Sequence, residues 1–115
     1  FRIQEKAAKV GFDWKEKEPV FDKIREEIEE LRQNVESGAE QKEIEEELGD
    51  VLFSIVNYAR FIKVNPEDAL RQTVNKFSKR FRKIEDHAKA GNKELEDMSL
   101  EEMDNVWNKA KEENK

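Results

Sequence analysis

Residues 26–53 read EEIEELRQNVESGAEQKEIEEELGDVLF, a dense run of carboxylates that gives way to apolar side chains. The chain carries 28 Asp and Glu in 115 residues, so an EExxE pattern alone is a poor signal and placement has to decide. On a helix advancing about 100° per residue, Glu27 falls about 60° from the centre of its helix's apolar stripe, in line with Val20 and Leu31. Glu30 follows one turn later on the same flank, Lys23 lies between the two in angle, and Glu29 points to solvent. Glu27 and Glu30 are thus expected at the core boundary. On the next helix Glu47, Asp50, Ser54 and Asn57 form one polar line, whose lower half runs through an otherwise apolar segment.

Buried carboxylates without partners are costly. Two acidic i,i+3 pairs on adjacent antiparallel helices joined by a short loop can face each other. Four carboxylates at close range repel one another and hold protons unless cations neutralise them. Hard cations such as Mg²⁺ take oxygen ligands and keep waters and substrate phosphates in their shell. Carboxylates converging from the helices of a bundle can build a dimetal site. The competing reading is a set of solvated helix faces with i,i+4 Glu–Lys pairs, and the carboxylate pattern by itself does not separate the two.

Cations supply the second half of the argument. Lys76 and Arg80 lie one turn apart on the flank of an apolar stripe, Arg80 nearer the core, and Trp107 and Lys111 pair at i,i+4 near the end of the chain. An Arg/Lys pair beside a metal site suits a polyphosphate. Taken singly, Lys76 and Arg80 also fit surface ion pairs, and Trp107 fits a core. His87 is the only histidine. Near a helix end it reads as a dipole-compatible surface residue rather than a catalytic one.

Five helices must position these groups. The first spans about Arg2 to Val10 and stops at Gly11, followed by the loop GFDWKEKE. The second starts at Pro19, suited to a first helical position, and runs to about Val35, with Gly38 as its cap. The third spans about Gln41 to Ile62. Asn65 caps the fourth, which starts at Pro66 and runs to about Ala90. Ser99 and Glu102 form a capping box for a short fifth helix reaching about Glu112. Val20, Ile24, Ile28, Leu31 and Val35 make one apolar stripe, matched on the fourth helix by Leu70, Val74, Phe77, Phe81 and Ile84. From Val51 to Ile62 the third helix is apolar all round, more than one 115-residue bundle covers easily. A homodimer or larger even oligomer is expected.

Composition narrows the classes further. Gly and Pro are few, which favours long helices. No cysteine is present, which excludes disulfides, zinc–thiolate sites and thiol chemistry. That is compatible with a reducing compartment, and the expected location is cytoplasmic. No apolar run approaches the ~20 residues that span a bilayer, so no membrane partner is expected. A net charge of −6 argues against nucleic acid. It does not argue against a phosphate ligand arriving with divalent cations.

At this level of detail the sequence resembles the MazG nucleoside triphosphate pyrophosphohydrolases of the all-α NTP pyrophosphatase superfamily. The family pattern EExxE, spacer, ExxD is matched by Glu26, Glu27 and Glu30, then Glu47 and Asp50. IQEKAAKVGFDW resembles the family's domain opening and EEELGDVLFSIVNYAR its third-helix signature. NKFSKRFRKIE resembles its basic helix and SLEEMDNVWNKAK its closing helix. Nearly the whole chain is covered, in order. The opening and closing segments are most similar to the C-terminal half of a two-domain MazG, and the chain opens at Phe1 without Met. A fragment of a longer protein is therefore expected, with a single-domain relative as the alternative.

The resemblance implies an all-α, dimeric, four-helix-bundle-like domain over residues 1–115, with a short fifth helix. It implies Mg²⁺, with Mn²⁺ able to substitute, held by Glu27, Glu30, Glu47 and Asp50. Glu26 and Glu46 would support that shell or position a water. Lys23, Lys76 and Arg80 would contact phosphates, and Trp107 and Lys111 would close the nucleotide site. The implied reaction cleaves a nucleoside triphosphate into the monophosphate and pyrophosphate. No Ser/His/Asp set, Cys nucleophile or Walker loop offers another route. The alternatives are the same fold acting on dUTP or phosphoribosyl-ATP, and a non-catalytic helical dimerisation domain.

Overall fold

A computed structural model describes residues 1–13 and 17–113, including all their side chains except those of Lys17 and Glu18. Part of the expected GFDWKEKE loop, residues 14–16, lies outside the described residues. The protein is all-α: α1 (Arg2–Lys9), α2 (Lys17–Glu36), α3 (Gln41–Phe61), α4 (Pro66–Ala90) and α5 (Leu100–Glu113), with a 3-10 turn at Leu95–Asp97. Among the described residues there is no strand. The helix ends follow local chemistry. Gly38 takes φ +74° behind α2, a conformation costly for any residue with a Cβ. The Asn65 side chain accepts a hydrogen bond from the Glu67 N–H at 3.0 Å at the start of α4. Ser99 Oγ accepts one from the Glu102 N–H at 3.1 Å at the start of α5.

The chain divides into two compact units, residues 1–67 and 68–115. In the first, α2 packs along α3. The α2 stripe buries only its first half: Val20 and Ile24 are buried, while Ile28 and Val35 are about half exposed. The α3 segment carries the larger surprise. Its buried residues are Val51, Ser54, Asn57 and Ala59, whereas Leu52, Phe53, Ile55 and Ile62 are exposed. The lower part of the polar line, Ser54 and Asn57, points inward, Glu47 is half-buried and Asp50 exposed, and the larger apolar side chains point outward. Gln4 of α1 is buried too, and its Nε2 donates to the Phe53 carbonyl at 2.9 Å, tying α1 to α3. Arg60 forms a two-pronged pair with Asp13.

The second unit has a small core of Ile84, Ala88 and Met98, packed by Leu95, Met103, Val106 and Trp107. On α4, Ile84 is the buried member of the expected stripe. Leu70, Val74, Phe77 and Phe81 are exposed. The expected capping box is half made, since Glu102 turns its carboxylate to Lys93 at 3.1 Å instead of back to the Ser99 N–H.

Candidate metal centre and phosphate-binding residues

The inward polar line on α3 meets α2 at Glu27. This carboxylate is only 6% exposed, because its position on α2 falls beside Val20 and Ile24 on the packed face. One carboxylate oxygen each from Glu27, Glu30 and Glu47 lie within 4.8 Å of one another. Glu27 is buried, Glu47 half-buried and Glu30 exposed, so Glu30 reaches the cluster from the solvent side instead of sharing Glu27's burial. The i,i+3 spacing on α2 explains this: one turn separates the two carboxylates along the axis and 60° of arc carries Glu30 outward. Asp50 stands outside that close trio. It lines the adjoining cleft of about 290 Å³, together with Val20, Lys23, Glu27, Ser54 and Asn57.

The electrostatics of the trio are unresolved by protein groups alone. Glu27 Oε2 and Glu47 Oε1 are both buried without a hydrogen-bond partner. Two ionised carboxylates have no donor to offer each other, and a proton or a cation between them satisfies both. Hydrogen bonding with Glu27 raises the Glu47 carboxyl to about 7, reinforced by burial and by the negative charges of Glu27, Glu30 and Asp50. Glu27 is held below its ordinary value, first by the hydrogen bond from Glu47 and then by Lys23. Lys23 Nζ lies 2.9 Å from Glu27 and 3.5 Å from Glu26. Its own value is raised, chiefly by the Glu27 hydrogen bond. The all-oxygen, anionic donor set with two orphaned oxygens fits a hard divalent cation. The cluster can hold a metal ion.

The remaining residues singled out from the sequence fall in two groups. Glu26 and Glu46 are exposed, and Glu26 leans on Lys23. In the second unit Arg80 is half-buried with its guanidinium 5.5 Å from the Trp107 ring centroid. Its Nε is buried without a partner, and among the described residues no carboxylate forms a salt bridge with it. Phe77 packs against the same indole at a 60° tilt, ring centroids 5.0 Å apart. Lys76 and Lys111 are exposed. Gln4 and the Arg60–Asp13 pair had no part in the sequence reading. Gln4 sits on a short helix in ordinary polar surroundings, and Arg60 and Asp13 are 47 positions apart, so no spacing could have joined them.

Comparison with known proteins now fits this geometry. Residues 15–84 match the model of the MazG nucleotide pyrophosphohydrolase domain. The chain belongs to the MazG family. It is 48% identical over 110 residues to the nucleoside triphosphate pyrophosphohydrolase/pyrophosphatase MazG of Thermotoga maritima, covering 96% of this chain and 42% of that protein. It is 40% identical over 111 residues to the nucleoside triphosphate pyrophosphohydrolase of Escherichia coli K12, with the same coverage. The Bacillus subtilis protein YabN, of uncharacterised function, is 58% identical over 66 residues, 57% of this chain and 14% of that protein. The chain thus spans less than half the length of the curated MazG relatives it matches. The family match covers both acidic segments and extends into α4 as far as Arg80 and Ile84.

Proposed function

We propose that this MazG domain hydrolyses nucleoside triphosphates to the monophosphate and pyrophosphate, with Mg²⁺ as the working cation and Mn²⁺ as a substitute. The observation that carries the reading is the pair of buried, partnerless carboxylate oxygens on Glu27 and Glu47, gathered with Glu30 within 4.8 Å. A structural helix pair gains nothing from such a cluster, which weakens the fold until a cation fills it. Glu27, Glu30, Glu47 and Asp50 would hold the metal, which when bound neutralises phosphate charge and lowers the cost of generating hydroxide at neutral pH.

This chain's own residues do the rest. Water adds to the α-phosphorus, and the α–β bridging oxygen departs with pyrophosphate. Lys23 moderates the negative field at the cleft wall. Arg80, whose buried Nε has no protein acceptor, and Lys76 take the leaving pyrophosphate as its charge grows. Trp107 fixes the plane of the Arg80 guanidinium from beneath. Lys111 assists at the nucleotide, while Glu26 and Glu46 keep the cluster's outer face anionic.

The working unit we infer is a homodimer or larger even oligomer. The exposed residues Leu52 and Ile55 on α3, with Ile62 just behind it, are more apolar surface than a monomer usually shows. Light scattering at micromolar concentration should give twice the chain mass or an even multiple, and a monomer refutes the assembly. For the chemistry, pyrophosphate release is measured for eight ribo- and deoxyribonucleoside triphosphates with Mg²⁺ and with EDTA. Metal-dependent release supports the reading, and no release from any of the eight overturns it.

A further inference from the structure

A second cleft of about 290 Å³ opens beside the carboxylate cleft and shares two of its walls, Phe53 and Asn57. Its other contributors include Ile3, Gln4, Phe12 and Arg60. Ile3 and Phe12 are exposed at its rim, while Gln4 and Asn57 are 6% and 8% exposed. The walls are apolar except for these two amides and the Arg60–Asp13 ion pair, whose charges offset each other. A slot of this character beside a cluster of carboxylates is unsuited to phosphate. It suits a flat, partly apolar group joined to one.

The amides are already half committed, and that fixes what they have left. Gln4 Nε2 is spent on the Phe53 carbonyl, which leaves Oε1 buried with no partner. Asn57 Oδ1 accepts from Arg60 Nη2 at 3.2 Å, which leaves its Nδ2 to donate. One acceptor and one donor lining the same cleft, from α1 and α3, match the hydrogen-bonding edge of a nucleobase, where an N–H donor neighbours a carbonyl or ring-nitrogen acceptor. A buried amide oxygen without a partner costs stability, as expected of a group that waits for a ligand.

We propose that Gln4 and Asn57 are the residues of this chain that read the nucleobase, with Phe53 as the hinge wall between base and phosphate clefts. The inference rests on the proposed triphosphate chemistry and adds its base-recognition site. The loss of one such contact should weaken binding about three- to tenfold, and only for ligands that carry a base.

The test compares nucleoside triphosphates with inorganic tripolyphosphate, which lacks the base, in the presence of Ca²⁺ to slow turnover. Side-chain amide resonances of Gln4 and Asn57 are followed by NMR in the unaltered chain, and affinities are measured for it and for Gln4→Met. The expected result is that nucleotide, but not tripolyphosphate, shifts both amides. Gln4→Met should then lower nucleotide affinity by about three- to tenfold and leave tripolyphosphate affinity unchanged. Nucleotide binding with both amides unmoved overturns the base site while leaving the chemistry intact. So does an equal loss for both ligands in Gln4→Met, which marks Gln4 as an anchor of α1 only. If Gln4→Met does not fold, the amide shifts of the unaltered chain decide alone. Failure of the underlying reading shows differently, as no binding of either ligand together with no pyrophosphate release.

Discussion

Residues 1–67 and residues 68–115 handle charge in opposite ways. The first unit buries Glu27, half-buries Glu47 and leaves an oxygen of each without a partner. The second keeps its ion pairs at the surface, as in Lys83 with Glu113 and Lys93 with Glu102, and packs a small core of aliphatic and thioether side chains. Among its described residues Arg80 is half-buried, and that guanidinium rests on an indole instead of pairing with a carboxylate. Groups left unsatisfied by the fold mark places where a ligand completes the electrostatics. By this measure the Glu27–Glu47 cluster is where the first unit would take a cation, and Arg80 is where the second unit would take an anion.

The comparison breaks most visibly at the acidic cluster. Asp50→Asn should cut metal-dependent turnover by about a hundredfold or more, the scale of losing a ligand worth several kcal/mol of charge stabilisation, with the helical circular dichroism retained. Glu27→Gln should do the same, although here the Lys23 contact at 2.9 Å is weakened as well. Removal of metal by EDTA should equal either substitution. Full activity in EDTA, or in both variants, would show that the unsatisfied carboxylates are not the reaction centre.

Arg80→Ala tests the second unit next. A charge-assisted contact to phosphate is worth about 1.5–3 kcal/mol, so kcat/KM should fall roughly ten- to a hundredfold. Because no described carboxylate pairs with Arg80, the ligand-free melting temperature should hardly move. A large stability loss with unchanged nucleotide affinity would make Arg80 a structural residue. The two units would then differ only in their degree of strain.

Much of this contrast is legible in the sequence, and the physical reason is helical periodicity. Glu27 on the α2 stripe and the line Glu47–Asp50–Ser54–Asn57 on α3 follow from a 100° step, and helix ends follow from Gly38, Asn65 and Ser99, whereas α2 begins at Lys17, ahead of the expected Pro19. Less legible was which side of α3 is buried. Hydrophobicity alone assigns Phe53 and Ile55 to the interior, yet they are exposed because the polar line is the face that meets α2. Glu30 also turned out nearer to solvent than its flank suggested, since a modest arc at the edge of a stripe is decided by the partner helix. Gln4 and the Asp13–Arg60 pair join positions far apart in the chain, and no local pattern encodes such contacts.

A smaller effect sharpens the contrast through pH. Glu47 is raised from 4.5 to about 7, so between those values the folded, metal-free chain holds a proton that the unfolded chain has released. Folding takes up protons in that window. Stability therefore falls as pH rises from about 4.5 to about 7 and levels off above it. Glu27, being lowered, acts in the opposite sense, and its stabilising share is lost only as pH drops below the ordinary carboxylate range. In EDTA the melting temperature should be higher at pH 5.5 than at pH 8. Glu47→Gln should flatten that slope, and Mg²⁺ should raise the melting temperature most at pH 8. A melting temperature that climbs from pH 5.5 to pH 8 in EDTA would contradict the shared-proton account.

The smallest effect belongs to the second unit and inverts the first. Ser99 Oγ accepts from the Glu102 N–H at 3.1 Å, one of the four N–H groups that the start of α5 leaves without helical partners. Its carboxylate partner in the expected capping box is engaged with Lys93, so Ser99 carries the cap without reciprocal support. Ser99→Ala should cost about 0.5–2 kcal/mol of stability, read as a lower urea midpoint with an unchanged slope. Turnover at saturating substrate should stay at its original level while the chain remains folded, because the Ser99 hydroxyl serves to cap α5. Ser99→Asp should recover the loss, since a carboxylate caps as well and favours a helix N-terminus. In unit 1, then, Asp50→Asn removes activity and spares the fold, and in unit 2 Ser99→Ala weakens the fold and spares activity. A Ser99→Ala chain with intact stability but impaired turnover would mean that the start of α5 contributes directly to the site, and the division between a strained reaction centre and a relaxed support would fail.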